Sequence, residues 1–279
     1  MKKSSLYAVL AALVLLSGFI TAPEAEQERP ETARVPIIMY HSLAGSGKST
    51  AISGDAFEAD LKYLRERGYE AVLPTALVEF VHRGGELPEK PVVLTFDDGY
   101  YNNYSVGLPL VKRYNTPIAV SVIGRDTEIW SEIPSTDERN GHLTWEQIGE
   151  MADTGLVEIL NHTWDLHKEE AGRKGVAMKP GENRAQYGTM LREDVGRLQE
   201  SLAQYSGLRP IGFTYPFGRT CPAATEELAQ MGFSLTLACH DGENTLIRGE
   251  GSCLFELHRY NRTPDRSLKA ILEGQGERT

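Results

Sequence analysis

Seven short apolar runs, separated by longer amphipathic stretches, constrain the fold of this chain most strongly. The runs are residues 35–40, 91–96, 117–123, 156–160, 211–215, 233–238 and 254–260. Runs of this length without polar alternation are typical of strands that are buried on both faces of a parallel sheet. Helix patterns lie between them at Asp55–Arg67, Thr75–Arg83, Thr144–Thr154 and Arg184–Tyr205. The alternation predicts one α/β domain, a (β/α) barrel or a distorted relative of it.

Local signals mark the ends of two helices and one irregular segment. Asp55 is the expected N-cap of the first helix, and Thr144 with Gln147 has the spacing of a capping box. Residues 168–186 are charged, rich in glycine and without a core pattern. They predict a surface loop, which would lie beside the strand ends and could act as a lid.

The first residues have the pattern of an export signal. Lys2 and Lys3 precede an uncharged apolar run over residues 6–20. Cleavage near Ala22 or Ala25 and retention as an uncleaved membrane anchor both remain open, and a buried N-terminal helix is the structural alternative. We therefore expect residues 1–25 to be a signal or anchor, 26–33 a disordered tether and 34–279 the folded domain of an exported protein, extracellular or in the cell envelope.

The net charge limits the class of ligand that this chain can bind, and the cysteine count limits its disulfides. With 279 residues, 41% of them hydrophobic, the chain can bury one sizeable core. Its net charge of -10 argues against nucleic acid as a ligand, because a protein binds nucleic acid through a basic surface. The acidic charge suits a neutral or amino-bearing ligand, and the alternative is that it serves only solubility. The three cysteines leave at least one thiol unpaired, and a Cys239–Cys253 bridge and simple packing both remain open.

Polar residues follow three of the predicted strands where each strand ends. His41 follows run 35–40, Asp97 and Asp98 follow run 91–96, and His162 lies just after run 156–160. Chemistry in a (β/α) barrel collects at the carboxyl ends of the strands. Two adjacent carboxylates repel each other unless a cation lies beside them, so the pair indicates a metal site in which one carboxylate binds the ion and the other acts as a base. A plain Asp-Gly turn is the alternative.

His162 and His167 supply two further candidate ligands. Residues five apart on a regular helix point about 140° away from each other, so this pair must lie on a loop to share one ion. Two imidazoles and a carboxylate leave a coordination position open, as in hydrolytic zinc sites. Asp165, between the histidines, is either a hydrogen-bond acceptor for an imidazole or an exposed loop acid.

Three segments together resemble the motifs of a known family. They are TFDDG at 95–99, NHTWDLH at 161–167 and FTYPFG at 213–218. In this order they resemble the first three motifs of the NodB-homology polysaccharide deacetylases, carbohydrate esterase family 4, and the resemblance spans residues 35–272. It implies a deformed (β/α) barrel as a single domain, with Asp97 as the base and Asp98, His162 and His167 as metal ligands.

Departures from the family pattern point to one branch of it. The second histidine is displaced by one residue, which resembles the poly-N-acetylglucosamine deacetylases. Thr214 stands where the family commonly has an arginine, so no arginine can be assigned to orient Asp97. In that branch the resemblance assigns the general acid to His41, and we prefer it to His258. We expect His258 and its neighbour Arg259 to lie in a terminal strand with packing and local ion-pairing roles.

Aromatic residues inside the motifs are the candidate substrate contacts. Phe217 replaces the usual tyrosine, and the family role belongs to its backbone N–H, which would donate to an oxyanion. Trp164 and Tyr215 could stack on sugar rings, although large aromatic residues usually serve the core.

The resemblance implies an enzyme that uses one divalent ion to remove acetyl groups from an N-acetylated polysaccharide. Zinc is preferred, with nickel, cobalt or iron as alternatives, and the polymer is poly-N-acetylglucosamine, peptidoglycan or a chitin-like chain. The alternative functions are a catalytically silent, metal-containing carbohydrate-binding domain and a small-molecule amidase.

Overall fold

A computed structural model describes residues 31–45 and 48–276, so the predicted signal and most of the predicted tether lie outside the described residues. The strands are β1 Thr32–Arg34, β2 Ile37–Tyr40, β3 Glu70–Ala71, β4 Pro91–Phe96, β5 Ile118–Val122, β6 Val157–Asn161, β7 Glu169–Glu170, β8 Arg173–Lys174, β9 Gly212–Thr214, β10 Leu235–Leu237, β11 Thr245–Ile247 and β12 Tyr260–Asn261. The helices are α1 Gly54–Glu66, α2 Pro74–Arg83, α3 Leu108–Tyr114, α4 Gly124–Glu132, α5 Trp145–Ala152, α6 Arg184–Ser206, α7 Pro222–Gln230 and α8 Leu268–Gly276.

The central sheet is parallel and runs in the order β10-β9-β6-β5-β4-β2-β12, with β3 paired to the start of β4. Its two outer strands do not pair along their length. Within the described residues a single parallel bridge, Leu237 to Leu257, links them. The sheet is thus a curled half-barrel, which confirms the predicted deformed (β/α) barrel as an open form of that fold.

Both faces of the central strands are covered by apolar side chains. Every residue of β2, β4 and β5 is buried. Val92, Leu94 and Phe96 pack outward against the helices, whereas the alternate residue Val93 packs inward with Ile37. This explains why the strands read as unbroken apolar runs without alternation.

Capping residues fix where the helices begin. The capping box of Thr144 and Gln147 is present at α5, as predicted. The N-cap prediction for α1 was wrong by two residues, because the Ser53 hydroxyl, and not the Asp55 carboxylate, accepts from the N–H of Ala56. Asp55 instead lies in the first turn, where its charge favours the positive end of the helix dipole.

Helix α2 closes the amino end of the half-barrel. Its Leu77 and Val81 are buried against Val93 and Leu235, which lie near the starts of their strands. The carboxylate of Glu158, the second residue of β6, accepts from the N–H of Thr75 at the start of α2. The opposite, carboxyl end of the sheet therefore remains open for a site.

Three segments differ from their sequence-based predictions. Run 254–260 forms a strand only from Tyr260 onward, because Glu256 has a left-handed backbone (φ 58°) that interrupts the extended chain. Residues 168–186 hold a short hairpin, β7–β8, and the buried Val176, so they are partly ordered. Strand β1 begins at Thr32, inside the predicted tether, because it pairs with β11.

All three cysteines are free thiols. The Cys239–Cys253 bridge considered from the sequence is thus absent, and the Cys253 thiol instead accepts from the N–H of Ile247. Among residues 31–45 and 48–276, no helix combines the length and the apolar character that crossing a membrane requires.

Candidate active site

Strand register brings the polar residues together at the carboxyl end of the sheet. Tyr40 of β2 pairs with Phe96 of β4, and the N–H of Asp97 donates to the Tyr40 carbonyl at 3.0 Å. His41 and Asp97 therefore leave their strands at the same level. In the same way Asn161 pairs with Phe213, so the residue after Asn161, His162, leaves its strand beside Thr214.

A tight turn after β4 presents the two carboxylates in different directions. Asp98 and Gly99 both have left-handed backbones, with φ of 70° and 66°. A Cβ on Gly99 would lie 3.1 Å from Val122, so both the left-handed backbone and the tight space favour glycine. The Nδ1–H of His142 donates to the Asp98 carbonyl at 2.9 Å. This histidine, which the sequence analysis did not single out, thus helps to hold the turn.

The second carboxylate of the turn forms a three-residue cluster with the two motif histidines. Oδ1 of Asp98 lies 3.6 Å from Nε2 of His162 and 3.4 Å from Nε2 of His167. The three ligand atoms all lie within 4.8 Å of one another. Oδ1 of Asp98 is buried without a hydrogen-bond partner among the described residues. A buried, unpartnered carboxylate oxygen facing two imidazole nitrogens fits a divalent cation, which these residues could bind.

The carbonyl of Thr214 orients His162 for this cluster. Nδ1 of His162 donates to it at 2.7 Å, which leaves Nε2 to face Asp98. Asp165 was one sequence candidate for such an acceptor. Its carboxylate instead bonds Arg125 and Lys168 at the surface, so the exposed-acid alternative is correct for this residue.

The electrostatics of the cluster suit cation binding. Burial and the neighbouring His162 lower the pKa of His167 to about 4, which keeps its imidazole neutral and available as a ligand. Burial alone would raise the pKa of Asp98. Interactions with the neighbouring imidazoles of His162, His167 and His41 outweigh burial and hold that pKa below its usual range.

Asp97, the first carboxylate, is paired with a buried arginine. The guanidinium of Arg259 donates to both of its oxygens, each at 2.7 Å, and the side chain of Arg259 is fully buried. Burial works to raise the pKa of Asp97, but the charge and hydrogen bonds of Arg259 outweigh it, so the carboxyl remains ionised. Such a bidentate contact also fixes the plane of the carboxylate.

Arg259 is the functional residue that the sequence analysis missed. It was expected to form local ion pairs in a terminal strand, yet its partner lies 162 positions earlier in the chain. Thr214 stands where the family commonly has an arginine. Arg259 supplies the guanidinium instead, from the opposite edge of the sheet. No local sequence signal identifies it, because the contact forms only when the sheet brings the two segments together.

His41 lies within electrostatic range of both carboxylates, since its charge lowers the pKa of Asp97 and of Asp98. Asn103 donates to the His41 carbonyl at 2.9 Å, which fixes the backbone that carries the imidazole. Nδ1 of His41 is buried and has no partner among the described residues. His258, the rejected candidate, is exposed and lies against Gly242.

The three predicted aromatic contacts have different surroundings. Phe217 is 42% exposed, and its ring centroid lies 4.4 Å from that of His167. Tyr215 is fully buried and its hydroxyl contacts Thr225, so its side chain does not face the site. Trp164 is 7% exposed and stacks on Trp145, which makes it a packing residue. Of the three side chains, only that of Phe217 is placed to meet a substrate.

Comparison with protein families agrees with this arrangement. The family model described as polysaccharide deacetylase matches residues 84–236, more than half of the chain. The chain belongs to the polysaccharide deacetylase family. The matched range includes the turn with Asp97 and Asp98, both motif histidines and Phe217, whereas His41 and Arg259 lie outside it. The two residues beyond the match are those that the sheet brings in from its β2–β12 side.

This deacetylase-family chain is similar to curated proteins whose names state the polymer that they deacetylate. It is 31% identical over 240 residues to the poly-β-1,6-N-acetyl-D-glucosamine N-deacetylase of Escherichia coli (strain K12). The match covers 78% of this chain but only 35% of that relative, so the chain spans about a third of the relative's length.

Solved structures share the fold over most of the chain. A de-N-acetylase from Aggregatibacter actinomycetemcomitans superimposes with a TM-score of 0.73 and 26% identity, covering 86% of this chain and 99% of that one. IcaB from Ammonifex degensii gives a TM-score of 0.69 and 30% identity, with 83% and 93% covered. The half-barrel is thus the fold of this family.

Proposed function

We propose that this protein is a metal-dependent hydrolase that removes acetyl groups from an N-acetylated polysaccharide of the cell envelope or its surroundings. The observation that carries the proposal is the Asp97–Arg259 pair beside the cluster of Asp98, His162 and His167. A buried carboxylate kept ionised next to a cation site is suited to take a proton from water. A domain that only bound carbohydrate would have no use for such a base, and burying its charge is costly.

A divalent ion held by Asp98, His162 and His167 would polarise the acetyl carbonyl and make a water more acidic. We propose zinc first, because one carboxylate and two imidazoles with an open position are typical of hydrolytic zinc sites. Nickel, cobalt and iron accept the same donors and are the alternatives.

The side chains of the site divide the proton transfers between them. Asp97 accepts the proton of the attacking water while Arg259 holds both carboxylate oxygens in place. As the carbon–oxygen bond forms, the backbone N–H of Phe217 donates to the oxygen of the former carbonyl. His41 then gives a proton to the amide nitrogen, because an amine leaves readily only when protonated. The carbon–nitrogen bond breaks and yields acetate and a glucosamine unit.

We propose poly-N-acetylglucosamine as the first substrate to test, because it is the polymer in the name of the Escherichia coli relative. Peptidoglycan and chitin-like oligomers carry the same N-acetyl amide and are the alternatives. The exposed ring of Phe217 beside His167 supports a sugar ligand, since aromatic faces pack on apolar sugar faces. The signal pattern over residues 1–25 supports export, with retention through that segment as a membrane tether still open.

The test is acetate release from the three polymers by purified protein, first stripped of metal and then supplied with Zn²⁺. Release that depends on added metal supports the proposal, and release from small amides alone would indicate the amidase alternative. Binding of polymer without any acetate release, at full metal content, would indicate the carbohydrate-binding alternative.

Variants of the cluster separate metal binding from catalysis. We expect Asp98→Ala and His162→Ala to lose the metal, because each removes one of three ligands. Asp97→Asn should keep the metal and lose ~10²-fold or more in acetate release, the scale for loss of a general base. Metal content and rates measured on the same samples check this assignment. Loss of metal from Asp97→Asn would make Asp97 a ligand.

A further inference from the structure

The segment from His162 to His167, here called the histidine loop, has an irregular backbone that brings both imidazoles to Asp98. Thr163 has a left-handed conformation with φ of 76°, and its N–H donates to the Asn161 side chain at 2.9 Å. The N–H of Leu166 donates to the Thr163 hydroxyl at 3.2 Å. A left-handed threonine costs free energy, so surrounding groups must hold this loop in place.

The carboxylate of Asp194, on helix α6, is the side chain that holds the middle of the loop. One of its oxygens accepts from the N–H of Trp164 at 2.8 Å and the other from the N–H of Asp165 at 3.0 Å. Both hydrogen bonds are charge-assisted and partly buried, which makes them stronger than neutral ones. They engage the two consecutive N–H groups halfway between the metal-site histidines.

Helix α6 also anchors the loop through the Trp164 side chain. The guanidinium of Arg197, one turn after Asp194, lies 3.8 Å from the centre of the Trp164 ring. The ring also packs so closely on Gly124 that a Cβ there would overlap it. This environment accounts for the burial of Trp164 and directs it away from substrate.

Helix α4 contacts the same loop through its backbone. The N–H of Gly124 donates to the Thr163 carbonyl at 3.1 Å, and the N–H of Arg125 donates to the Trp164 carbonyl at 2.9 Å. These bonds do not involve Asp194. They should keep the loop folded near its place when the carboxylate is changed, so a variant at Asp194 tests geometry and not simply folding.

We propose that Asp194 is a positioning residue that sets the separation of His162 and His167 and so tunes the affinity of the metal site. The inference rests on the proposed function, because it takes both histidines as ligands. Asp194 itself does not reach the cluster. It acts by fixing the backbone between the two imidazoles, and groups of this kind typically alter metal affinity by about 10–100-fold when removed.

The test compares Asp194→Asn with two controls in the full chain. In Asp194→Asn the shape is kept, but an NH₂ group replaces one acceptor oxygen. Glu193→Gln changes an exposed acid next to it on α6, and Asp165→Asn changes a loop carboxylate that bonds only surface cations. Zn²⁺ dissociation constants from chelator competition, Co²⁺ absorption spectra and the Tm of the metal-free proteins are measured for each.

We expect Asp194→Asn to bind Zn²⁺ about 10–100-fold more weakly and to change the Co²⁺ spectrum, with both controls within about twofold of the wild type. A lower Tm of metal-free Asp194→Asn with unchanged Zn²⁺ affinity would overturn the inference and leave Asp194 a structural residue. The His162→Ala variant distinguishes a failure of the ligand assignment from a failure of this inference. If it retains the metal, the ligand assignment fails; if it loses the metal while Asp194→Asn binds normally, only this inference fails.

Discussion

Arg259 and Asp97 are the pair of residues in which charge, burial and chemistry are most tightly joined. Each would be costly to bury alone, and together they satisfy one another through two hydrogen bonds of 2.7 Å. The thiol of Cys239 also accepts from the same guanidinium at 3.3 Å. The arginine therefore does two things: it keeps the Asp97 carboxylate ionised and it holds it in one orientation.

Arg259→Met should move the acidic limb of the pH–rate profile to higher pH. Without the guanidinium, burial is left to raise the pKa of Asp97, and the base must be ionised to work. Removing an adjacent opposite charge shifts an aspartate by about one to three pH units. The measurement is kcat/KM against pH with metal content checked. Activity lost at neutral pH should therefore return in part as pH rises.

The matched control for this variant is Arg262→Met. Arg262 is also buried and also pairs with an aspartate, but that partner is Asp60 of helix α1 and not Asp97. It should lose stability as Arg259→Met does and keep the wild-type pH profile. An unchanged acidic limb in Arg259→Met would show that the guanidinium does not control the ionisation of Asp97.

His41 should be the general acid and His258 should not. His41→Ala is expected to keep its metal and to lower deacetylation by ~10²-fold, the scale for loss of an acid catalyst. His258→Ala should be close to wild type, because that side chain is exposed and lies against Gly242. Rates and metal content of the two variants are compared directly. A selective loss in His258→Ala would return the acid role to that residue.

The residues of the site were not equally predictable from sequence. Asp97 and Asp98 directly follow one apolar run, and His162 and His167 lie in the motif after another, so local order was enough to name all four as candidates. Arg259 and His142 gain their roles only through the curl of the sheet and the turn at Asp98. Tyr215 shows a second limit of the sequence: it lies inside a motif, but nothing in the local pattern indicates that its side chain points into the core.

At the scale of elements, the helix that follows the turn with Asp97 and Asp98 is joined to the strand end that carries His41. It begins with a π-helical turn, Asn103–Gly107, before α3. Asn102 accepts from the N–H of Leu43 at 2.7 Å and donates to the Ser42 hydroxyl at 2.8 Å. Because π-helical turns frequently occur at functional sites, we infer that this turn orients Asn102 and Asn103 toward the His41 segment.

Asn103→Asp should impair proton donation by His41 without affecting the metal. A carboxylate in place of the amide would face the His41 carbonyl that Asn103 now donates to, and the two oxygens would repel. We expect deacetylation of the polymer to fall by roughly tenfold to hundredfold, the cost of a displaced catalytic group. Hydrolysis of 4-nitrophenyl acetate, whose leaving group requires no proton, should change little.

The control is Asn115→Asp, which makes the same change at the exposed end of α3, where aspartate tolerates the left-handed conformation. Equal losses on amide and ester in Asn103→Asp would mean general distortion of the site and would contradict the assigned role.

Element boundaries followed from sequence where local chemistry decides them. Thr144 with Gln147 starts α5 as the capping box requires, and Gly207 ends α6 in a left-handed conformation. The prediction of a strand over 254–260 failed because Glu256 has a left-handed backbone. This conformation is stabilised by partners that are distant in sequence. Its N–H donates to the Thr236 hydroxyl and its carboxylate accepts from Thr225. Neither partner is visible in the local pattern.

At the scale of the whole molecule, the two ends of the sheet have separate tasks. Apolar runs alternating with helices were sufficient to predict a (β/α) barrel, because that pattern depends only on burial and period. The open side between β10 and β12 was not predictable, since it depends on how far each edge strand continues. The carboxyl end holds the polar cluster, whereas the amino end is filled by α2.

This separation predicts a variant that loses stability and keeps the site. Leu77 is fully buried in α2 against the amino end of the half-barrel, so Leu77→Ala leaves a cavity far from the strand ends that carry Asp97 and Asp98. The free energy of unfolding in urea should fall by about 2–5 kcal/mol. Arg83→Ala, which breaks only an exposed pair with Glu79 on the same helix, should change it by less than about 1 kcal/mol. Well below the unfolding transition, both variants should keep the wild-type Zn²⁺ affinity and kcat. A lowered affinity in folded Leu77→Ala would mean that packing at the amino end is coupled to the metal site through the strands.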